Sequence, residues 1–306
     1  MAAEYQEPDW KVVDYQPYCL DERVQDPSRQ RPLWIRGPRP DRIEPGNHFV
    51  CLGAAQTFGR FCPRPFPNIL EERLGRRMLN ISHGGAGPLF FCLQNEALLE
   101  HLNQARFVVV QVMSARSESN SLFESQGVGH YRKREDGRYL GCDQAFEELL
   151  RTKPRSFVSG IVEETRRSWL SSYETLLSAI HVPKILLWFS TRTPDYQQGW
   201  SRLEALFGAY PQLVTAGMMS RLREMGDHYV ECTSLRGLPQ PLIDRFTGKR
   251  TTVQDPWTSA PWKENWYYPS PEMHEDAADA LEPICRAVAA QSGGGRVAEA
   301  RCGTSS

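Results

Sequence analysis

The chain has 306 residues, of which 40% are hydrophobic and 24% charged, the profile of an ordinary globular protein rather than a fibrous or wholly disordered one. Its formal charge of −1, from 36 Lys+Arg against 37 Asp+Glu, leaves no global basic field for nucleic acid or an anionic membrane. The longest apolar runs fall far short of the roughly 18 to 20 residues that cross a bilayer, so no membrane span is expected.

Residues 1–46 carry Pro8, Pro17, Pro27, Pro32, Pro38, Pro40 and Pro45, which suppress continuous helix and predict an extended N-terminal arm stapled by Tyr15, Tyr18, Leu33, Trp34 and Ile35. The main domain is expected over 47–291. His48 to Gly53 reads as a first strand and Ala54 to Arg60 as the loop after it. Phe66, Ile69, Leu70 and Leu74 have helical spacing, closed by Gly75. Met78 to Ile81 is a brief second strand, Ser82 to Gly87 a glycine-rich turn, and Pro88 to Leu102 one helix. Phe107 to Met113 reads as a buried strand from its β-branched content.

Ser114 to Gly141 is polar and longer than an ordinary connection, hence a functional insert or a mobile loop. Helices are predicted over Asp143 to Thr152 and Val162 to Ile180, a fourth strand over Lys184 to Phe189, helices over Trp200 to Phe207 and Ala216 to Met225, and a fifth strand over His228 to Cys232. An irregular segment, Leu235 to Pro271, holds Trp257, Trp262, Trp266, Tyr267 and Tyr268 ahead of a last helix from Glu272 to Ala290. The Gly/Ser-rich stretch 292–306 reads as a disordered tail. This alternation implies an α/β fold with a mostly parallel sheet and helices on both faces.

Ligands of such sheets lie beyond the carboxyl ends of the strands. Three loops have that address: Gly53 to Arg60, Ser82 to Pro88 and Ser114 to Ser121. His274, beside the start of the last helix, is a candidate base, or else a helix-start residue that is exposed or bonded to a neighbouring loop. His83 stands in the glycine-rich turn, which serves either a ligand or a tight turn alone. Arg116 with Asn120 suits an anion or a sugar, or a solvated loop. Arg132, Lys133 and Arg134 make a solvated face or a receptor for phosphate or sulfate, and the aromatic cluster stacks on sugar rings or packs a loop. Neither Gly-x-x-x-x-Gly-Lys-Ser/Thr nor Gly-x-Gly-x-x-Gly occurs, no spaced ligand set predicts a metal, and no cofactor is assigned. The eight cysteines, without a Cys-x-x-Cys pair, read as free thiols, and the N-terminus has no secretory pattern; together they place the protein in the cytoplasm.

These residues resemble the blocks of the SGNH (GDSL-type) hydrolase superfamily, which implies a flavodoxin-like three-layer sandwich. Gly53-Ala54-Ala55-Gln56-Thr57-Phe58-Gly59 looks like the first block, with Ala55 at the nucleophilic serine. Leu79 to Pro88 looks like the second, with Ser82 at the oxyanion-hole glycine. Val108 to Asn120 looks like the third, with Asn120 displaced from the family's asparagine. Pro271-Glu272-Met273-His274 looks like the closing Asp-x-x-His, with Pro271 at the aspartate. The span from Asp14 to His274 is also similar to a bacterial domain family of unknown function.

Alanine offers neither a proton nor a lone pair, so conventional serine hydrolysis is not expected. A relocated nucleophile, Ser82 or Thr57 beside His274, stays open. The favoured expectation is a protein that acts on or binds a carbohydrate or glycan precursor, with His274 as general base. Gly53, Gln56, Thr57, Asn80, His83, Gly87, Arg116 and Asn120 would hold the substrate. The alternatives are a group transferase of sulfotransferase or acyltransferase type, acting on a sugar hydroxyl, and a non-catalytic binding module. No oligomeric state is assigned.

Overall fold

The computed structural model describes residues 5–255 and 260–291. Five strands form one parallel sheet: β1 His48–Gly53, β2 Arg77–Ser82, β3 Val108–Gln111, β4 Lys184–Ser190 and β5 His228–Thr233. Their spatial order is β2-β1-β3-β4-β5, with every pairing parallel. This is the flavodoxin-like doubly wound order, and the direction of winding reverses between β1 and β3.

The alternation along β1 shows why both faces are covered. Phe49 and Cys51 join a core with Phe66 and Leu70 of helix α2 (Phe66–Leu74) and with Met273, Ala277 and Leu281 of the last helix, Pro271–Gln291. Val50 and Leu52 face the other core, built from the intervening helices, in which Trp169 and Tyr173 are wholly buried. Three layers result, because a parallel strand buried on both sides must be apolar at successive positions.

Several boundaries differ from expectation for identifiable reasons. The segment after β1 is a helical turn, α1 (Ala55–Phe58), closed by Gly59 at φ 76°. The helix predicted over Pro88 to Leu102 is two, Pro88–Cys92 and Glu96–Asn103, because the Asn95 side chain caps the second by accepting from Ala97 N–H. The long helix starts at Arg155, seven residues before Val162, so that Val158 and Ile161 extend its buried stripe. The polar stretch 114–141 is no mobile loop. It folds into a three-stranded antiparallel flap, Phe123–Ser125, His130–Lys133 and Tyr139–Gly141, anchored by Tyr131 stacked on Phe123 at 4.9 Å. Its charged run is paired outward: Arg132 to Glu124, Lys133 to Glu135, and Arg134 to the Asn120 carbonyl. The expected tail, 292–306, lies outside the described residues.

The arm is held by a buried ion pair. Arg60 and Asp9 have fully buried side chains joined by two bonds, Nε to Oδ2 at 2.8 Å and Nη2 to Oδ1 at 3.0 Å. Asp9 also accepts from the Tyr15 hydroxyl at 2.8 Å, and the Arg60 guanidinium lies 4.5 Å from the Tyr5 ring centroid. Removing one partner strands a buried charge. Arg60→Ala is expected to lower stability by about 3–5 kcal/mol in urea unfolding, whereas Arg60→Met with Asp9→Leu regains most of it. A loss under about 1 kcal/mol in the single variant would remove the pair from this role.

Candidate functional site

A cavity of about 800 Å³ opens at the carboxyl ends of β1, β2 and β3, where the winding reverses. Ala54, Ala55 and Gln56 form part of its lining, beside His83 to Ala86 of the glycine-rich turn and Ser114 and Arg116 after β3. The flap, the start of helix Cys142–Thr152, and Tyr210, Tyr267 and Tyr268 complete the wall. Of the expected binding residues, the cavity brings together Gln56, His83 and Arg116. Gln56 is 2% exposed, and its Oε1 has no hydrogen-bond partner. Arg116 is ion-paired with Asp143.

The other expected residues hold the frame. Gln111, which ends the apolar β3, accepts through Oε1 from Ala54 N–H at 3.0 Å, Thr57 N–H at 3.2 Å and Thr57 Oγ1 at 2.6 Å. A side chain at Gly53 would overlap Thr57 Oγ1 and Gln111 Oε1, so the glycine admits this knot rather than a ligand. Ser82 Oγ donates to Asn80 Oδ1, and Asn80 Nδ2 donates to the Thr57 carbonyl at 3.0 Å. Neither Ser82 nor Thr57 is bonded to an imidazole, so the relocated-nucleophile expectation has no activating base. Gly87 N–H donates to the Gly127 carbonyl, pinning the turn to the flap. Asn120 caps its own turn, accepting from Leu122 and Phe123 N–H and donating to Thr165 Oγ1 at 3.1 Å. It is a structural residue.

His274 departs furthest from expectation. The side chain is wholly buried between Phe66 and Phe189, with ring centroids 6.0 and 5.3 Å away. Its Nδ1 accepts from Phe66 N–H at 3.2 Å, which puts the proton of the neutral ring on Nε2. Burial, helped by the nearby Arg36 charge, pulls its pKa down to about 3. A general base needs a free lone pair within reach of substrate, and this ring has spent its own on the backbone. His83 is similarly occupied, with Nδ1 2.9 Å from the Gly84 carbonyl and Nε2 3.4 Å from Asp26. Both nitrogens face oxygen atoms of the protein, Gly84 O and Asp26 Oδ2, so neither is turned to the cavity. The Cys142 thiol, also on the wall, is pushed up to about 12 by burial and stays protonated.

Sequence reasoning missed Gln111, whose signal was a lone amide closing a run of valines. It also missed the cavity tyrosines from distant segments, Tyr5, Tyr131, Tyr139 and Tyr210. Of the aromatic cluster, Tyr267 and Tyr268 line the cavity, Trp262 packs on Phe61 and Tyr268, Trp266 is exposed, and Trp257 lies outside the described residues.

With the site assembled, comparison with known proteins assigns the family. The chain belongs to the family described as Domain of unknown function (DUF6473), whose model matches residues 28–147 and 139–289. No curated protein matches the chain. Among solved structures it is similar to a carbohydrate esterase family 2 enzyme plus carbohydrate binding domain from Corynascus thermopiles (Myceliophthora fergusii), at 12% identity over 86% of this chain and 71% of that one, with a TM-score of 0.39. It is also similar to a carbohydrate acetylesterase family member from Sinorhizobium meliloti, at 11% identity over 79% and 99%, with a TM-score of 0.41. A Lactobacillus plantarum protein gives 14% identity over 80% and 99%, with a TM-score of 0.38.

Two measurements check this chemistry. In ¹⁵N NMR of the histidine rings, His274 is expected to keep a protonated Nε2 and an unprotonated Nδ1 from pH 5 to pH 8; an Nδ1–H tautomer or a titration in that range would contradict the geometry. Behind the glycine-rich turn, buried Glu118 accepts from Ser172 Oγ at 2.8 Å and Leu89 N–H at 3.1 Å, yet burial pushes its carboxyl up to about 7. The folded state therefore holds this proton more tightly than the unfolded chain, and stability declines as pH rises from the ordinary carboxyl range through 7. Relative to the wild type, Glu118→Gln is expected to gain stability, on the order of a few kcal/mol, in urea unfolding at pH 8 compared with pH 5. An equal difference at the two pH values would contradict it.

Proposed function

We propose that the cavity binds a carbohydrate and does not carry out serine-type ester hydrolysis. The observation that carries this reading is Ala55 in the cavity lining, at the position where the SGNH likeness puts the nucleophile. The supporting features are chemical. The lining combines tyrosine rings with the Gln56 amide, and a sugar ring presents both apolar C–H faces and hydroxyl edges. Direct group transfer to a sugar hydroxyl is the second reading. It needs a lone pair aimed at the acceptor; His274 spends its own on Phe66 N–H, and both nitrogens of His83 are turned to Gly84 and Asp26, which favours binding over transfer. The same reading keeps the protein in the cytoplasm, a compartment compatible with the seven unpaired cysteines of the described residues.

The test uses the full chain in two assays. Incubation with a fluorophosphonate probe is expected to give no adduct by mass spectrometry, and p-nitrophenyl acetate no turnover above buffer. Affinity electrophoresis through gels containing soluble polysaccharides is expected to retard the protein in at least one gel. An adduct on Ser82 or Thr57 would overturn the non-hydrolytic assignment, and unretarded migration in every gel would overturn the binding assignment.

A further inference from the structure

Aromatic surface that the fold does not use stands at the mouth of the cavity. Tyr139 is 73% exposed and Tyr267 39%, and both line the cavity; Trp266, next to Tyr267, is 68% exposed. The two tyrosines come from separate elements, Tyr139 from the last strand of the flap and Tyr267 from the segment before the last helix. Scattered exposed rings need no explanation, but rings grouped at the rim of a cavity are the mark of a binding groove.

Tyr267 is fixed in advance. Its hydroxyl accepts from Gln212 Nε2 at 2.9 Å, and its ring meets Tyr268 edge-on, with centroids 5.0 Å apart at 89°. Tyr268 is itself held by Arg60, whose Nη1 donates to its hydroxyl at 3.1 Å. A ring locked before the ligand arrives loses little entropy on stacking. Gln56 also lines the cavity, and its buried Oε1 lacks a donor, which a ligand hydroxyl would supply.

Size extends the argument. Pockets of roughly 300–1,000 Å³ enclose drug-sized ligands, so about 800 Å³ is too much for a single sugar ring. Resting on the carbohydrate-binding reading, we infer that the cleft takes a linear oligosaccharide of several rings. One ring sits beside Ala55 with a hydroxyl donating to Gln56 Oε1, and the rings that follow lay their C–H faces on Tyr267 and Tyr139 as the chain leaves the cavity. Gln56 then sets which hydroxyl is read, and the rim tyrosines set how much chain length is felt.

Isothermal titration of the full chain against gluco-, xylo-, manno- and N-acetylglucosamine oligosaccharides of one to six rings, with AMP as a stacking control, tests this. In the series that binds, affinity is expected to rise at least tenfold from one ring to four. Tyr139→Ala and Tyr267→Ala are each expected to remove most of that rise while leaving single-ring affinity in place, and Gln56→Ala to weaken every length alike. Tyr139 is exposed enough for its variant to fold, which keeps the test clean even where the Tyr267 variant perturbs its neighbours. Affinity independent of length, or an unaffected Tyr139→Ala, overturns the oligosaccharide inference and leaves carbohydrate binding standing. Binding of AMP without any saccharide, or of none of the probes, overturns both.

Discussion

The guanidinium of Arg60 is the point on which the cavity wall depends. It is fully buried, and a cation taken out of water is tolerated only with its charge matched and its N–H donors used. Asp9 of the N-terminal arm supplies the charge, and Tyr268 supplies a further acceptor from the other end of the domain. The rings of Tyr5, Phe61 and Tyr268 lie within 4.5 to 5.0 Å of the guanidinium carbon, so two residues of the cavity lining are also part of the cation's cage. One desolvated charge thereby fastens the first and last parts of the folded chain to the turn that follows β1.

A second buried cation works beside it. Arg36 donates to the carbonyls of Phe58, which ends α1, and of Gly59, Cys62 and Pro63 in the turn beyond it, whose carbonyls have no sheet or long helix to accept for. Gln111 performs the complementary service at the other end of α1, accepting from the N–H groups of Ala54 and Thr57. The short helix bearing Ala55 is thus held at its donor end by an amide oxygen and beyond its acceptor end by a guanidinium. A rigid floor of this kind suits recognition, because a ligand need not order the backbone on arrival. It also explains why Thr57 and Ser82 are poor nucleophile candidates: their hydroxyl protons already serve the frame.

The sheet was legible because its strands are short apolar runs set off by Gly and Pro, and the helices on either face carry 3.6-residue stripes. Phe66–Leu74 was readable to the residue, since Pro65 and Gly75 bracket it. The flap was not, because Arg132, Lys133 and Arg134 mask an alternation in which only Tyr131 is deeply buried. Site legibility followed the same division. Gln56 and His83 neighbour glycine-containing turns at strand ends, an address that topology assigns before any contact is known. Asn120 and Ser82 have the same address, but Ser82 bonds to Asn80 of its own strand and Asn120 caps its own turn, and no spacing rule distinguishes an amide that waits for a ligand from one that caps a turn. The tyrosine wall comes from four distant segments, the arm, the flap, the turn at Tyr210 and the stretch before the last helix, and is visible only once they are folded together.

His274 shows how burial and one backbone bond commit an imidazole to the fold. Helix α2 begins at Phe66, and its N-cap, Pro65, has no side-chain acceptor to offer. Phe66 N–H is buried and would be an orphan donor without the Nδ1 lone pair of His274. That bond fixes the tautomer, and the tautomer removes the lone pair that catalysis would need at Nε2. A carboxylate that orients an imidazole base receives an Nδ1–H, and Nδ1 of His274 carries no proton to give. Nε2–H is left buried without a partner, a cost on the order of 1–3 kcal/mol by itself. The helix start gains a satisfied donor and a packed ring between Phe66 and Phe189, and these offset that cost. The imidazole therefore belongs to the fold, and what chemistry the cavity has must come from the groups that face it.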